Sequence, residues 1–215
     1  MDTNGYKGRS IDHLVYTVFD LDKSMDDFET RLGIRPIFGG YHQTFGTKNA
    51  LINLDSGIYL ELLASDNTNK VIKKPRWMGV DVLTKEQLTR WALKSTDLEL
   101  DSRILKKHHP DMGRIMEGSR TMANSALLQW ELSKPLPLPE VELIPFCIDW
   151  GSSEIHPHQA LPDMGCTLIE LYGTHPNPKA YNKVFAGLGI DFRVEKSPQI
   201  CLKLVLESPR GTVIL

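Results

Sequence analysis

The chain has 215 residues, of which 41% are hydrophobic and 24% are charged, and these values are typical of a globular protein that buries a substantial core. Lys and Arg (25) nearly balance Asp and Glu (27), so the net charge of -2 excludes a general electrostatic attraction to nucleic acid or to an anionic membrane. We see no apolar stretch of membrane-spanning length and no secretory signal in the polar start. The three cysteines, Cys147, Cys166 and Cys201, form no C-x-x-C pair, which predicts reduced thiols in a cytoplasmic protein. The charge balance leaves a small molecule or another protein as the expected partner.

The first predicted unit covers residues 11–65. Its opening run, IDHLVYTVFD, is rich in alternating and β-branched residues, a pattern that predicts a strand. In the following LDKSMDDFETRLGI, apolar residues recur at helical spacing from Leu21 to Leu32, and Gly33 marks the helix end. Three further strand-like runs follow, RPIFGG, KNALINLD and IYLELLA. The predicted order of elements is therefore β-α-β-β-β.

The same order of elements returns over residues 87–151 and again over residues 165–215. Asp20 and Asp97 serve as a shared landmark, because each closes a predicted strand and opens a helix. We therefore predict an α+β fold, one compact domain over residues 1–215, in which repeated units curve into a barrel-like mixed sheet with helices outside. The alternative is an ordinary α+β sandwich without a cavity. The third unit, which has no counterpart left, would cap the barrel or meet its copy in a homodimer.

The loop-like stretch FGGYHQTFGTKNALINL, residues 38–54, allows two interpretations. Its glycines permit sharp bends directly before an apolar run. The stretch is either a plain hairpin with solvated polar residues, or a lid that turns His42, Thr47 and Asn49 towards a ligand in a pocket. On the second interpretation His42 is a candidate general acid or base.

The alternation in IYLELLA places Tyr59, Glu61 and Leu63 on one face of a strand. If the opposite face packs on the helix, Glu61 points into the cavity, where an unpaired carboxylate would be costly without a function. The alternative is an edge strand with Glu61 in solvent.

Several motifs, in the same order along the chain, resemble those of glyoxalase-like domain proteins of the vicinal-oxygen-chelate superfamily. They are DHLVYTVFDLDKSMDDFETRLGIRP, GGYHQTFGTKNALINL, YLELLA, SRTMANSALLQW, PFCIDWG and SPRGTVIL. The resemblance implies a barrel of paired units with metal ligands on the first and fourth strands. His13 and Glu61 match these positions in the first unit.

In the second unit this pattern changes. The residue that precedes Asp97 by the same interval as His13 precedes Asp20 is Arg90, which stays charged and cannot ligate a metal. Asp149 lies near the position that matches Glu61. The resemblance therefore implies at most one divalent ion, Zn, Fe, Mn or Ni, bound by His13, Glu61 and Asp149, with His42 as an alternative ligand.

Three function hypotheses follow. The first is a metal-dependent lyase, isomerase or dioxygenase acting on a small oxygenated molecule, with Glu61 and His42 as catalytic residues. The second is a metal-free protein that binds or sequesters a small ligand, and the third is metal-free catalysis by His42. The candidate substrate-binding residues are Asn49, Thr47, Arg120, Arg90 and Trp150. The two arginines would bind an anionic group, and Trp150 would stack on a ligand unless it fills core.

Overall fold

The computed structural model describes residues 9–121, 127–151, 153 and 155–215. Five residues of the motif SRTMANSALLQW, the polar start of the chain and two residues of the linker after Trp150 lie outside this range. No helix in the described part of the chain is long and apolar enough to cross a membrane.

The first part of the described chain has two runs of the predicted elements. The first run comprises β1 (Ile11–Thr17), α1 (Leu21–Leu32), β2 (Ile37–His42), β3 (Thr47–Asn53) and β4 (Tyr59–Ser65). The second comprises β5 (Gln87–Lys94), α2 (Leu98–His108), β6 (Ile115–Thr121), β7 (Leu127–Ser133) and β8 (Phe146–Asp149). The aspartate landmarks are confirmed as helix caps: Asp20 accepts hydrogen bonds from two backbone amides of α1, and Asp97 accepts one from Leu100.

These eight strands form one closed barrel in the order β1-β4-β3-β2-β6-β7-β8-β5. Within each run the first strand pairs in parallel with the fourth, and the two runs meet where β1 pairs with β5 and β2 with β6. At the second junction the pairing in the described residues is limited to Tyr41 opposite Thr121. The predicted α+β fold with a curved, barrel-like mixed sheet is confirmed.

The last segment contains β9 (Thr167–His175), α3 (Asn182–Leu188), β10 (Val194–Lys196), β11 (Cys201–Ser208) and β12 (Gly211–Ile214). It follows the predicted order of elements but pairs its strands differently. In this separate sheet, ordered β10-β9-β11-β12, the first strand β9 lies between β10 and β11 instead of pairing with the last strand. The segment packs against the outside of the barrel, where Phe192 stacks on Trp91 with ring centroids 4.7 Å apart.

The described chain has two hydrophobic clusters, separated by the barrel wall. The outer cluster joins the barrel to its helices and to the second sheet, and it contains Leu60 and Leu62 of β4 together with Phe28 of α1. The inner cluster contains Leu63 of β4 and Trp130 of β7. The alternation predicted for β4 is therefore confirmed, and it turns the face that carries Glu61 towards the barrel interior.

Candidate functional site

The barrel encloses a narrow cavity of about 40 Å³. Its polar lining comes from the first run of strands and from β6, and consists of His13, His42, Asn49, Tyr59, Glu61 and Arg120. Its apolar lining comes from β7, β8 and three connections, and consists of Phe45, Trp77, Met78, Trp130, Leu132, Phe146, Ile148, Trp150 and Pro157. A free space of this size holds a few water molecules or the reactive end of a ligand.

Asp12 holds His13 in place beside the cavity. The Asp12 carboxylate is fully buried and accepts three hydrogen bonds, from Nδ1 of His13 at 2.6 Å, Nε2 of His156 at 2.8 Å and Nε1 of Trp150 at 3.1 Å. Burial alone would raise the pKa of Asp12, but the hydrogen bonds from the two histidines outweigh it and hold that pKa well below its ordinary value. Because an ionised carboxylate only accepts, the His13 proton lies on Nδ1, and in the neutral imidazole Nε2 carries a lone pair.

Asn49 connects the charged groups of the cavity. Its Oδ1 accepts a hydrogen bond from Nη1 of Arg120 at 2.9 Å, and its Nδ2 donates to Oε1 of Glu61 at 2.6 Å. Arg120 forms no direct ion pair with Glu61 in the described structure, so the amide separates the two charges while contacting both. The charged partners fix the orientation of the amide, since a guanidinium only donates and a carboxylate only accepts.

Gly39 on β2 makes this arrangement possible. A Cβ atom at position 39 would lie 2.3 Å from Nη1 of Arg120 and 2.4 Å from Oδ1 of Asn49. Any side chain would therefore occupy the hydrogen bond between them. The glycine-rich start of the hairpin thus serves the packing of the site in addition to the turn.

His42 is held as a neutral imidazole. Its Nδ1 lies 2.9 Å from Oγ1 of Thr47, and its Nε2 lies 3.5 Å from Nδ2 of Asn49. Burial lowers the pKa of His42 to about 4; Glu61 opposes this shift and Arg120 adds to it. With the Asn49 amide donating towards Nε2, the remaining His42 proton lies on Nδ1 and is donated to Thr47.

Tyr59 and Arg120 complete the polar lining. Burial, helped by the negative charges of Asp12 and Glu61, raises the pKa of Tyr59 well above its ordinary value, so the phenol keeps its proton at neutral pH. Burial lowers the pKa of Arg120, while Tyr59 and Glu61 act in the opposite direction. A guanidinium nevertheless stays charged in proteins, so the cavity contains a buried cation.

The sequence model of the glyoxalase-like domain family matches residues 11–189. The chain belongs to the glyoxalase-like domain family. The match covers both runs of the barrel and extends through α3, so the family relationship suggested by the sequence motifs is confirmed.

Solved structures are similar to this glyoxalase-like domain, and a hypothetical protein from Staphylococcus aureus shares its fold. That protein is 18% identical, with 95% of this chain and 83% of that chain covered and a TM-score of 0.60. A methylmalonyl-CoA epimerase from Streptomyces coelicolor (18% identity, 66% and 96% coverage, TM-score 0.44) and one from Mycobacterium tuberculosis (17%, 69% and 91%, 0.42) are similar over a smaller part. At these identities the likeness concerns the fold alone. No curated protein matches the sequence.

The implied metal ligands do not all reach the cavity of the glyoxalase-like domain. His13 and Glu61 line it, whereas Asp149 does not. Phe146 and Ile148 face the interior, so alternation along β8 turns Asp149 away from it, where Oδ1 accepts a hydrogen bond from the backbone of Gly151 at 2.8 Å. Among the described residues, no group of three or more His, Cys, Asp or Glu side chains is arranged to hold a metal ion. The donor set therefore does not fit a resident ion.

Arg90, a predicted substrate-binding residue, holds the proline-rich connection instead. Its guanidinium donates to the carbonyl oxygen of Thr89 at 2.8 Å, and to carbonyl oxygens of the connection at Leu136 (3.1 Å), Leu138 (2.7 Å) and Glu140. Arg90 does not line the cavity. Three prolines keep this connection out of a regular ladder, so its carbonyl groups need side-chain donors, and Arg90 supplies them.

Residues 38–54 form a hairpin, as in the first interpretation, but His42, Thr47 and Asn49 are buried and not solvated, which is the inward placement of the second interpretation without a separate lid. His42 is the last residue of β2 and Thr47 is the first residue of β3; the two residues pair with each other and are joined by a short turn. His42 and Asn49 reach the cavity from the strands themselves, whereas Thr47 contacts His42 and does not line the cavity. Arg120 and Trp150, both predicted to bind ligand, do line it.

Sequence reasoning missed the residues that the connections bring to the cavity. Trp77 stacks on Phe45 of the hairpin turn with centroids 4.3 Å apart, and Met78 beside it has a left-handed backbone with φ of 52°. Arg76 holds this connection by donating to Ser65 Oγ and to the carbonyl oxygens of Gly46 and two other residues. No local pattern in the connection indicated this role.

Proposed function

We propose that this glyoxalase-like protein binds a small oxygenated anion, a carboxylate with an adjacent carbonyl group, in the barrel cavity and moves a proton on it without a resident metal ion. The observation that carries the proposal is that one cavity is lined both by a buried arginine and by a histidine whose other ring nitrogen is held by a buried carboxylate.

Arg120 is the group that would bind the anion. Its exposed fraction is only 5%, and its hydrogen bond to Asn49 is made to a neutral amide. A guanidinium has five N–H donors and binds a carboxylate in a bidentate manner, so the remaining donors suit an anionic ligand. A buried cation also gains more from an incoming anion than an exposed cation does, because the surrounding protein screens the attraction less than water.

His13 is the group that would take the proton. Asp12 fixes its tautomer and stabilises the imidazolium that forms, as a carboxylate does for any histidine acting as general base. In the described structure Nε2 of His13 has no hydrogen-bond partner, while the ring itself is fixed by stacking on Tyr59 with centroids 4.8 Å apart. The ring is therefore oriented without its reactive nitrogen being occupied.

The proposed step is proton abstraction from the carbon next to the carbonyl group. The C–H proton goes to Nε2 of His13, the electron pair moves to the carbonyl oxygen as an enolate, and Arg120 stabilises the negative charge. The protonated Tyr59 lines the same cavity and is a hydrogen-bond donor for a developing oxyanion. Return of the proton to the same or another carbon gives an isomerase, and loss of a leaving group gives a lyase.

The test is exchange of carbon-bound hydrogen for deuterium in a panel of small 2-oxo carboxylates, followed by proton NMR in D₂O. We expect the wild-type protein to exchange at least one compound. His13→Gln should slow this exchange by roughly 10²–10⁴-fold, the usual contribution of a positioned general base, while calorimetric binding of the same compound persists. His108→Gln, at an exposed position on α2, is the matched control.

Metal dependence is tested in the same assay. Protein purified without an affinity tag should contain no stoichiometric transition metal, and EDTA should leave exchange unchanged. If activity is lost with EDTA and restored by Zn, Fe, Mn or Ni, the metal-free part of the proposal falls. The implied ligands His13 and Glu61 would then hold the ion with groups that the present arrangement does not bring together.

A second candidate function is binding or sequestering without chemistry. It is favoured by the apolar part of the lining, in which Trp77, Trp130 and Trp150 contribute large surfaces for a ligand. Arg120-dependent binding of an acid with no exchange in any compound of the panel would support this function and overturn the catalytic role of His13.

A further inference from the structure

An open cleft of about 700 Å³ adjoins the narrow cavity. Its lining residues come from the hairpin turn and from β6, β7 and β8, and they are Thr44, Phe45, Met116, Glu117, Gly118, Ser119, Gln129, Trp130, Glu131, Asp149 and Gly151. Phe45 and Trp130 line the cavity as well as the cleft. These two side chains therefore form the boundary between the two spaces.

The junction of β2 and β6 lies near the same place. In the described residues the pairing of these strands is limited to Tyr41 opposite Thr121. Trp130 lies opposite Gly118, where a Cβ atom would come within 2.4 Å of its indole ring. Its Nε1 is buried and has no hydrogen-bond partner in the described structure. The absence of a side chain at Gly118 thus leaves room for the indole. Its N–H group is a free donor, in the described structure, at the boundary of the two spaces.

The cleft is strongly acidic. Glu117 lies opposite Glu131, and Glu131 lies opposite Asp149, so three carboxylates form one row across three adjacent strands. No Lys, Arg or His is among the described residues that line the cleft. Like charges that face each other across strands destabilise a sheet, and a bound cationic group would offset that cost.

We propose that the cavity and the cleft together form one elongated site for a ligand that has a carboxylate at one end and an amine at the other. The carboxylate end contacts Arg120 in the cavity, the chain passes between Phe45 and Trp130, and the ammonium group lies against the carboxylates of β6, β7 and β8. This inference rests on the proposed function, because it uses the same anion-binding arginine. It specifies the substrate class as an amino acid with separated charges, and a ligand with a phosphate-bearing tail would be repelled from the cleft.

The experiment compares three families of straight-chain acids with four, six and eight carbons. They are the plain acids such as hexanoate, the ω-amino acids such as 6-aminohexanoate, and the dicarboxylates such as adipate. Affinity is measured by calorimetry and by quenching of tryptophan fluorescence, since Trp130 lines both spaces. At the best chain length we expect the amino acid to bind about 5-fold more tightly than the plain acid, the scale of exposed charge pairs, and the dicarboxylate to bind more weakly.

Variants assign the effect to the two ends. Glu117→Gln combined with Glu131→Gln should remove the advantage of the amine and leave the plain acid unaffected, and the change from carboxylate to amide preserves the shape of both side chains. Glu99→Gln, at an exposed position on α2, is the control and should keep the advantage. Arg120→Gln, checked for folding by circular dichroism, should weaken all of the acids.

Each outcome decides a different claim. If the plain acids bind through Arg120 but the amine gives no advantage at any chain length, the elongated site is refuted and the proposed function stands. The elongated site is also refuted, with the proposed function intact, if the advantage persists in the double glutamine variant. If no acid of the three families binds, or if binding is the same in Arg120→Gln, the anion-binding role of Arg120 is refuted and the elongated site with it.

Discussion

Gly39→Ala tests the arrangement of the anion-binding group with a single methyl group. The Gly39 backbone is not in the left-handed region, so alanine is compatible with its conformation. The new Cβ would instead lie 2.3 Å from Nη1 of Arg120 and 2.4 Å from Oδ1 of Asn49, which forces these two atoms apart. The substitution replaces none of the charged and polar residues that line the cavity.

The size of the effect follows from the hydrogen bond that is lost. A hydrogen bond to a charged group contributes about 1.5–3 kcal/mol. If Arg120 must keep this position to bind the anion, affinity falls by roughly 10- to 150-fold, since about 1.4 kcal/mol corresponds to a factor of ten. The free energy of unfolding should fall by less, because replacing a glycine restricts the unfolded chain and returns about 0.4–1 kcal/mol.

The assay is a calorimetric titration with the tightest-binding acid, combined with thermal unfolding of the same samples. Gly187→Ala makes the same chemical change at an exposed position on α3, where the Cβ would meet a side-chain carbon of Ile104 at 3.0 Å, and it should leave affinity unchanged. Unchanged affinity in folded Gly39→Ala would refute the reasoning, because it would mean that the contact between Arg120 and Asn49 does not position the anion.

Two further predictions concern stability. His42 has a pKa of about 4 in the folded protein against an ordinary 6.5, so between these pH values the unfolded chain binds a proton that the folded protein does not. The free energy of unfolding should therefore fall as the pH is lowered from 6.5 to 4, by at most about 3 kcal/mol. His42→Gln should flatten this part of the pH profile in urea unfolding, and an unchanged slope would contradict the assignment. The lowered pKa of Asp12 adds a loss of stability that begins at about pH 5 and lies mainly below its ordinary pKa of 3.8, so it overlaps only the acid end of this range. Arg90→Met should reduce the free energy of unfolding by about 2–4 kcal/mol, because it leaves several carbonyl oxygens of the proline-rich connection without a donor. Ligand affinity should not change in Arg90→Met. A large loss of affinity would contradict this prediction and support the sequence-based assignment of Arg90 to substrate binding.

The parts of the fold that could be predicted from the sequence are those fixed by local patterns. The two aspartates at Asp20 and Asp97 cap helices because their side chains accept hydrogen bonds from amides a few residues ahead, an interaction that depends on no distant residue. Alternation along β4 correctly separated Leu60 and Leu62 from Glu61, since one face of that strand packs on a helix. In a regular strand or helix, the spacing of the apolar residues alone indicates which face is buried.

Irregular pairing explains most of what the sequence did not reveal. The β1–β5 register shifts between Ile11 and His13, so Asp12 departs from simple alternation, and its carboxylate contacts the ring of the adjacent His13. Asp149 was predicted to be a metal ligand because its position in the second unit resembles that of Glu61 in the first. The direction of its side chain depends on the alternation along β8, which that similarity did not determine. Strand pairing in the last segment depends on contacts between distant residues, which the order of elements does not determine.

The arrangement of charged groups in the cavity would stabilise the charges that form in the proposed reaction. Transfer of a proton to His13 creates an imidazolium beside the buried carboxylate of Asp12, and the enolate left behind lies beside Arg120, so each new charge forms next to a group of opposite sign. A direct ion pair between Arg120 and Glu61 would neutralise the guanidinium before the ligand arrived. The Asn49 amide prevents this pairing, because it satisfies both groups by hydrogen bonds while carrying no charge itself. The cation therefore remains available for charge that develops during the reaction, and Asn49, which is neither acid nor base, becomes a residue on which the rate should depend.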